Sequence, residues 1–341
     1  MWEKIVKEKE NMLASNRIGL SDKSKRLIER IFNSFKKGGS SHGDNNVKDE
    51  NKNLEKILLE IAICEECLNL LMKGQVASEE MMVIQALDIV VVRQKKNFSR
   101  DSSNKSELTF YPRFAMILDI IFKDTEFIID DGEKVSQVTK KIQKENAVRY
   151  GDATKVTTFG RRIDLFIASS RIELSSSEWE TDKASPSAYI QQQVKNIRTN
   201  KAIVNSLRQL PVEPSRLKEV INVGMNWIGK FSANWDCKIQ MVLQLLFTAA
   251  VVIFFSTTLG GDFVNWTSPL PPEAGPIYHS RCTHSHTLDK LLWWKKHHTG
   301  LMRIIRPAHA ELERKQKLAK ARGESNLKRM NSPDTFFTLV T

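Results

Sequence analysis

The chain has little of what usually fixes a protein's chemistry at sight. Only four cysteines (Cys64, Cys67, Cys237 and Cys282) occur in 341 residues, too few for a disulfide scaffold at this size. Cys64 and Cys67 form a CxxC, but they lie within NLEKILLEIAICEECLNLLMKG, which reads as helix. No second CxxC or matching histidine pair follows, so a zinc site lacks half its ligands. There is no GxxxxGK[ST] phosphate loop, no GxGxxG after a strand and no HExxH, which leaves nucleotide-driven, dinucleotide-dependent and zincin-type chemistry without support. The first ten residues, MWEKIVKEKE, are charged and lack the apolar centre of a signal peptide.

What is present is ordinary in amount and biased in sign. The chain is 27% charged and 41% hydrophobic, enough to bury a core in one large domain or two small ones. Its net charge of +12 favours polyanionic partners, either nucleic acid or an anionic membrane surface.

Organisation follows from pattern changes. Residues 1–37 form a basic helical segment, in which Leu27, Ile28, Ile31 and Phe35 share one stripe. Residues 38–52, GGSSHGDNNVKDENK, read as a linker. Residues 53–98 read as a helical pair: Leu54, Ile57, Leu58, Ile61, Cys64, Leu68 and Leu71 recur at three and four, Gly74 ends the run, and Ser78 opens a second helix. From 108 to 240 helices alternate with two strand-like runs, 160–168 and 171–175, ahead of a long helix starting near Pro186. That order predicts an α/β (α+β) fold, a small mixed sheet flanked by helices.

Each strand-like run carries one acid where a hydrophobe is expected, Asp164 in RIDLFIA and Glu173 in RIEL. Burying a carboxylate is costly unless a cation meets it. With the turn at 168–171, the two acids would face each other and share one divalent ion, Mg²⁺ being suited to hard oxygen ligands. The bland reading pairs them with Arg161, Arg162 and Arg171 on a solvated face. On the helix that follows, Lys195, Arg198 and Lys201 recur at three and form a candidate phosphate-binding face, as against a merely solvated one.

The arrangement GRRIDL…IELSSSEWE…AYIQQQVKNIRTNKAIV looks like uncharacterised proteins of early-diverging fungi. It is also similar to the PD-(D/E)XK nuclease-like superfamily, whose core runs helix, strand, strand, strand, helix, strand. The resemblance covers about residues 108–240. It implies Asp164 and Glu173 as Mg²⁺ ligands, one of Gln191, Gln192 and Gln193 as the helix glutamine, and nucleic acid as partner. The superfamily's lysine falls at Ser175. Reading the motif at Glu178-Trp179 instead puts Glu180 in that place, so Lys183 or Lys195 would have to supply the cation.

From Ile239 to Gly261 no residue is charged. Residues 241–261 are therefore a candidate transmembrane helix, bracketed by Trp235 and Trp266. Lys230 and Lys238 precede it and no Lys or Arg follows before Arg281, which predicts a cytoplasmic amino-terminal side. Alternatively AVVIFF is a buried central strand of a soluble nuclear or cytoplasmic protein. Residues 262–341 form a basic tail, disordered or helical, whose histidines (His284, His286, His297, His298) fit no zinc spacing. Two functions follow: a nucleic-acid-binding, nuclease-like domain that cuts only if a substitute cation is in place, or a non-enzymatic single-pass membrane protein with a cytoplasmic interaction domain.

Overall fold

A computed structural model describes residues 19–38, 48–91, 111–150, 162–181, 185–229, 251–255, 263–266 and 276–322. The chain order is α1 (Asp22–Gly38), α2 (Lys48–Met72), α3 (Glu79–Val91), α4 (Tyr111–Phe122), β1 (Ile128–Val135), α5 (Gln137–Tyr150), β2 (Arg162–Ser169), β3 (Ile172–Thr181), α6 (Pro186–Arg208), β4 (Asn222–Gly229), β5 (Val251–Phe255), β6 (Phe263–Trp266) and α7 (Pro276–Ala321). The expected mixed α/β class is met, mostly helical around one sheet. Strands run in the spatial order β1-β2-β3-β4-β5-β6. Among the described strands only β3 and β4 pair in parallel, and α6 supplies the crossover that a parallel pair requires.

Two local features of β2 and β3 set the site. The hairpin turns on Ser170 and Arg171, both left-handed at φ 49° and 69°, as a two-residue turn demands. The register then slips: Ala168 pairs Glu173, but Ile167 pairs Ser175, Phe166 pairs Ser176 and Leu165 pairs Ser177. Leu174 is the extra residue of a β-bulge, and a one-residue slip changes which side chains face each other.

The helix α6 lies on one face of the sheet, held by Asn196 and Asn200. On the other face α7 seals the sheet against α1–α4. Trp294 of α7 is fully buried and donates from Nε1 to the Val223 carbonyl at 2.8 Å. A single cluster of buried side chains runs from Leu27 and Ile63 through Leu118 and Leu165 to Leu291 and Ile305. The amino-terminal helices and the α/β region therefore share one core.

Four expectations are corrected here. Helix α2 starts at Lys48, inside the stretch read as linker. Much of the apolar stripe assigned to the first helix of the pair faces outward: Leu59, Ala62, Ile63 and Leu70 are buried and Leu58 is half-buried, whereas Ile57, Ile61, Leu68 and Leu71 are exposed. The basic tail is helical over Pro276–Ala321, one of its two readings, but it is not a separate segment, because most of its apolar residues between Leu288 and Ile305 belong to the core. Within the candidate transmembrane segment, Val251–Phe255 is a strand whose backbone pairs with β4 and β6, and Trp266 pairs with Val252. No helix among the described residues is long and apolar enough to cross a membrane; Trp235 and residues 239–250 lie outside the described residues.

Gly224 lets α6 approach β4. A Cβ there would lie 2.6 Å from the Ser176 carbonyl oxygen and would strike the Asn200 amide. Gly224→Ala should therefore lower stability by about 1–3 kcal/mol, read as a reduced urea midpoint with unchanged slope.

Candidate functional site

The bulge brings Asp164 to a new neighbour. The pairs Leu165–Ser177 and Phe166–Ser176, continued by one residue, set Asp164 opposite Glu178 on the face covered by α6. Glu178 is buried. From α6, the Gln192 side-chain amide donates to Glu178 Oε2 at 2.9 Å and to Asp164 Oδ2 at 3.3 Å. Lys195 Nζ lies 2.9 Å from Glu178 Oε2. Gln192 and Lys195 are three apart on the helix and so project from one side of it. Two carboxylates from adjacent strands, an amide and an ammonium thus converge, with Lys195 about one-third exposed at the open side.

The second predicted ligand is elsewhere. Glu173 pairs across the ladder with Ala168, four residues and about 13 Å along β2 from Asp164. It accepts from Ser136 Oγ at 2.8 Å and from the Gln137 backbone N–H at 2.6 Å. Ser136 in turn accepts from the Thr139 N–H at 3.1 Å, so serine and carboxylate together cap α5. Burial pushes the Glu173 carboxyl up, and the Ser136 and backbone donors pull it back only in part. Glu173 caps α5 and does not meet Asp164, and its hydrogen bonds go to these donors rather than to an arginine. Glu173→Ala should cost about 1 kcal/mol, visible as a lower melting temperature.

Of the three candidate glutamines only Gln192 bonds the carboxylates; Gln191 is exposed and Gln193 half-buried. Lys195 is the cation beside the carboxylates, in an ion pair with Glu178. Lys183 lies outside the described residues. Arg198 and Lys201 are half-buried along α6, away from the Glu178 contact that Lys195 makes. Ser175 does not stand in an empty lysine position: it faces α7 and bonds His298 Nε2 at 2.8 Å. His297 is half-buried and His298 beside it is a core residue, bonded to the Ile221 and Trp294 carbonyls respectively. Burial lowers their pKa values to about 4 and about 3, so both are neutral at physiological pH. Among the described residues no group of three or more His, Cys, Asp or Glu is placed to hold a metal. The oxygen pair of Asp164 and Glu178 is the candidate donor set.

Sequence reasoning placed Glu178 in an alternative reading and not in the primary one. The signal that favours it is the Gln192–Lys195 spacing on the next helix, which faces the far end of β3. No known protein family, curated protein or solved structure matches this chain.

The electrostatics of the pair are unusual. Burial and the adjacent Asp164 raise the Glu178 carboxyl to about 8, against the pull of Lys195. Its Oε1 is buried with no hydrogen-bond donor in reach. A proton or a cation therefore belongs between these oxygens. The sign for stability follows. An acid raised in the folded state holds a proton that the unfolded chain releases above 4.5, so its contribution is complete below 4.5 and is lost as pH rises towards about 8. In the absence of divalent ions, the stability of wild type relative to Glu178→Gln should fall across that window and level off above it. Melting temperatures of the two proteins through the range measure the difference.

Proposed function

We propose that this chain is a nucleic-acid-binding domain of the restriction-endonuclease-like kind that hydrolyses phosphodiester bonds with Mg²⁺ held by Asp164 and Glu178. The observation that carries the reading is the orphaned Glu178 Oε1 beside Asp164, a buried, electron-rich gap lined by the hard oxygen donors Mg²⁺ prefers. Support comes also from element order: α4, β1, β2, β3, α6 and β4 follow the helix, strand, strand, strand, helix, strand sequence expected of the superfamily, with α5 inserted. The net charge of +12 suits a polyphosphate partner.

Mg²⁺, when bound, supplies Lewis-acid stabilisation of charge developing on the phosphate. The chain's own groups do the rest. Asp164 and Glu178 sit on paired strands, so their separation is set by the ladder and not by loop motion. Gln192 ties the two carboxylates together and fixes their rotamers. Lys195 is close enough to Glu178 to be held in one orientation and open enough to meet an anion arriving from solvent. In that position it orients the attacking water or offsets charge on the scissile phosphate, the work for which the superfamily uses its motif lysine. Glu180, at the superfamily's lysine position, takes no part in this assignment.

Incubating the purified chain with single- and double-stranded DNA and RNA in Mg²⁺ or Mn²⁺ tests the reading. Cleavage should vanish in Asp164→Asn and Glu178→Gln and fall by about 10²–10⁴-fold in Lys195→Ala. Glu173→Gln should leave it intact. Metal-dependent cleavage insensitive to Asp164 and Glu178, or no cleavage and no Mg²⁺ binding by calorimetry, would reject the assignment.

A further inference from the structure

Helix α2 has two apolar faces, and the fold uses one. Leu59, Ala62, Ile63 and Leu70 are buried in the shared core. On the other side Ile57, Ile61, Leu68, Leu71 and Met72 are 44%, 46%, 59%, 46% and 82% exposed, and Cys64 is exposed between them. Residues 57, 61, 64, 68 and 71 step by four, three, four and three. That 3.5-residue average is the spacing of a coiled-coil seam rather than of a single amphipathic helix on its own core. A lone surface leucine needs no explanation, but a stripe leaving roughly 500 Å² of apolar surface open marks a contact site.

We propose that α2 pairs with α2 of a second copy of this chain, antiparallel, about a two-fold axis passing Cys64. The spacing calls for a helix as the covering element. The seam is nearly symmetric about its centre: Ile57 and Leu71 lie seven residues either side of Cys64, with Ile61 and Leu68 three before and four after. Reversing the helix about Cys64 returns Ile57, Cys64 and Leu71 and brings Ile61 and Leu68 within one residue of each other, so the patch is close to complementary to itself, as an isologous interface requires. The small thiol at the axis lets the two backbones approach. Orientation follows from the flanking acids. A parallel pair would set Glu60 of each copy against Glu65 of the other, a doubled like-charge contact. The antiparallel pair removes it and leaves only the two Glu65 side chains near each other at the axis. Two such stripes bury about 1,000 Å², the lower bound for a specific interface. The buried face of α2 is complete without the partner, so the single chain folds and dimerises as a separate step. The same acidic flanks exclude an anionic bilayer as the occupant.

Sedimentation and light scattering of the full chain over the micromolar range test the proposal. The expected species has twice the 39.1 kDa mass of one chain. Its association should tighten with added salt, because screening relieves the Glu65 repulsion. Mild oxidation should cross-link the dimer through Cys64. The link should be lost in Cys64→Ser, since Cys67 is half-buried with its sulfur 3.9 Å from Met81 Sδ. Ile61→Glu with Leu68→Glu should return a single-chain mass with unchanged circular dichroism and melting temperature. A single-chain mass at all concentrations overturns the proposal, as does a dimer that survives those two substitutions or escapes Cys64 cross-linking. Association only with an added lysine-flanked helical peptide of the same spacing, weakened by salt, would also overturn it and assign the seam to a different protein partner. None of these readings depends on nuclease activity.

Discussion

One side chain does the work of a missing strand, and the site depends on it. Asn200 accepts from the Ser176 N–H at 2.9 Å and donates to the Ser176 carbonyl at 2.9 Å, as a neighbouring strand would. The parallel ladder between β3 and β4 begins only at Glu178 and Asn226. Before that point the strands diverge, and amides from α6 fill the gap. Asn196 continues the bridge, donating to the Met225 carbonyl at 3.0 Å and accepting from Ser176 Oγ at 3.0 Å. The helix is thereby fixed to both strands through backbone atoms, one turn from Gln192 and beside Lys195. Backbone-anchored groups have little freedom to shift, which is what a constellation of charged side chains needs.

This anchoring is costly to build and expensive to break. A buried amide is costly where its bonds are unmet, each unmet one forfeiting about 1–3 kcal/mol, as at Asn222 of β4. Asn196 and Asn200 meet theirs with each other and with the sheet. Glu178 does not. Its carboxyl has been taken out of water and set beside another acid, and only one of its oxygens is engaged by Lys195 and Gln192. Such an arrangement stores an electrostatic demand in a rigid frame. The rigidity is what keeps the carboxylates from rotating away to relieve it.

Much of the framework is readable in the residues, and the failures have identifiable causes. The alternation of helices with RIDLFIA and RIEL announces a mixed fold, and Asp164, Gln192 and Lys195 stand among the candidates named from sequence. Glu173 fails because the turn falls at Ser170–Arg171: it pairs Ala168 on the turn side of the bulge, and an unbroken ladder from that turn sets Asp164 opposite Ser177, not Glu173. The bulge at Leu174 shifts the register, and nothing in RIELSSSEWE marks a bulge. The α2 stripe was assigned to the core because periodicity reports that a face is apolar and not which partner covers it. The basic average of α7 hides its place in the core: Lys295 and Lys296 turn their charges to Asp124 and Glu79 while the adjacent Trp294 is fully buried. The uncharged run 239–261 satisfies the length rule for a membrane helix, but Val251–Phe255 within it is a strand, and β-branched AVVIFF is the cue that length and hydropathy alone do not use.

Strand β3 shows how structural polarity differs from functional polarity within four residues. Ser175, Ser176, Ser177 and Glu178 are all buried. Ser175 donates to neutral His298, whose Nδ1 donates to the Trp294 carbonyl and leaves Nε2 free to accept. Ser176 is held by Asn196 and Asn200. Ser177 Oγ accepts from the Met225 N–H at 3.1 Å. Each hydroxyl finds its partner inside the protein, so these polar groups specify how the two helical layers dock and ask for nothing more. Glu178 continues the same series and breaks it, since its environment presses for a positive charge that Lys195 supplies to one oxygen only. The three buried serine hydroxyls of β3 are all paired, whereas Glu178 Oε1 is not; Ser169 of β2 and Asn222 of β4 also bury unpaired polar atoms, but neither sits beside a second carboxylate. That the gap on β3 lies next to a second carboxylate, at the edge reached by solvent, is the physical reason to look for chemistry there and not at the equally buried serine and histidine on the opposite face.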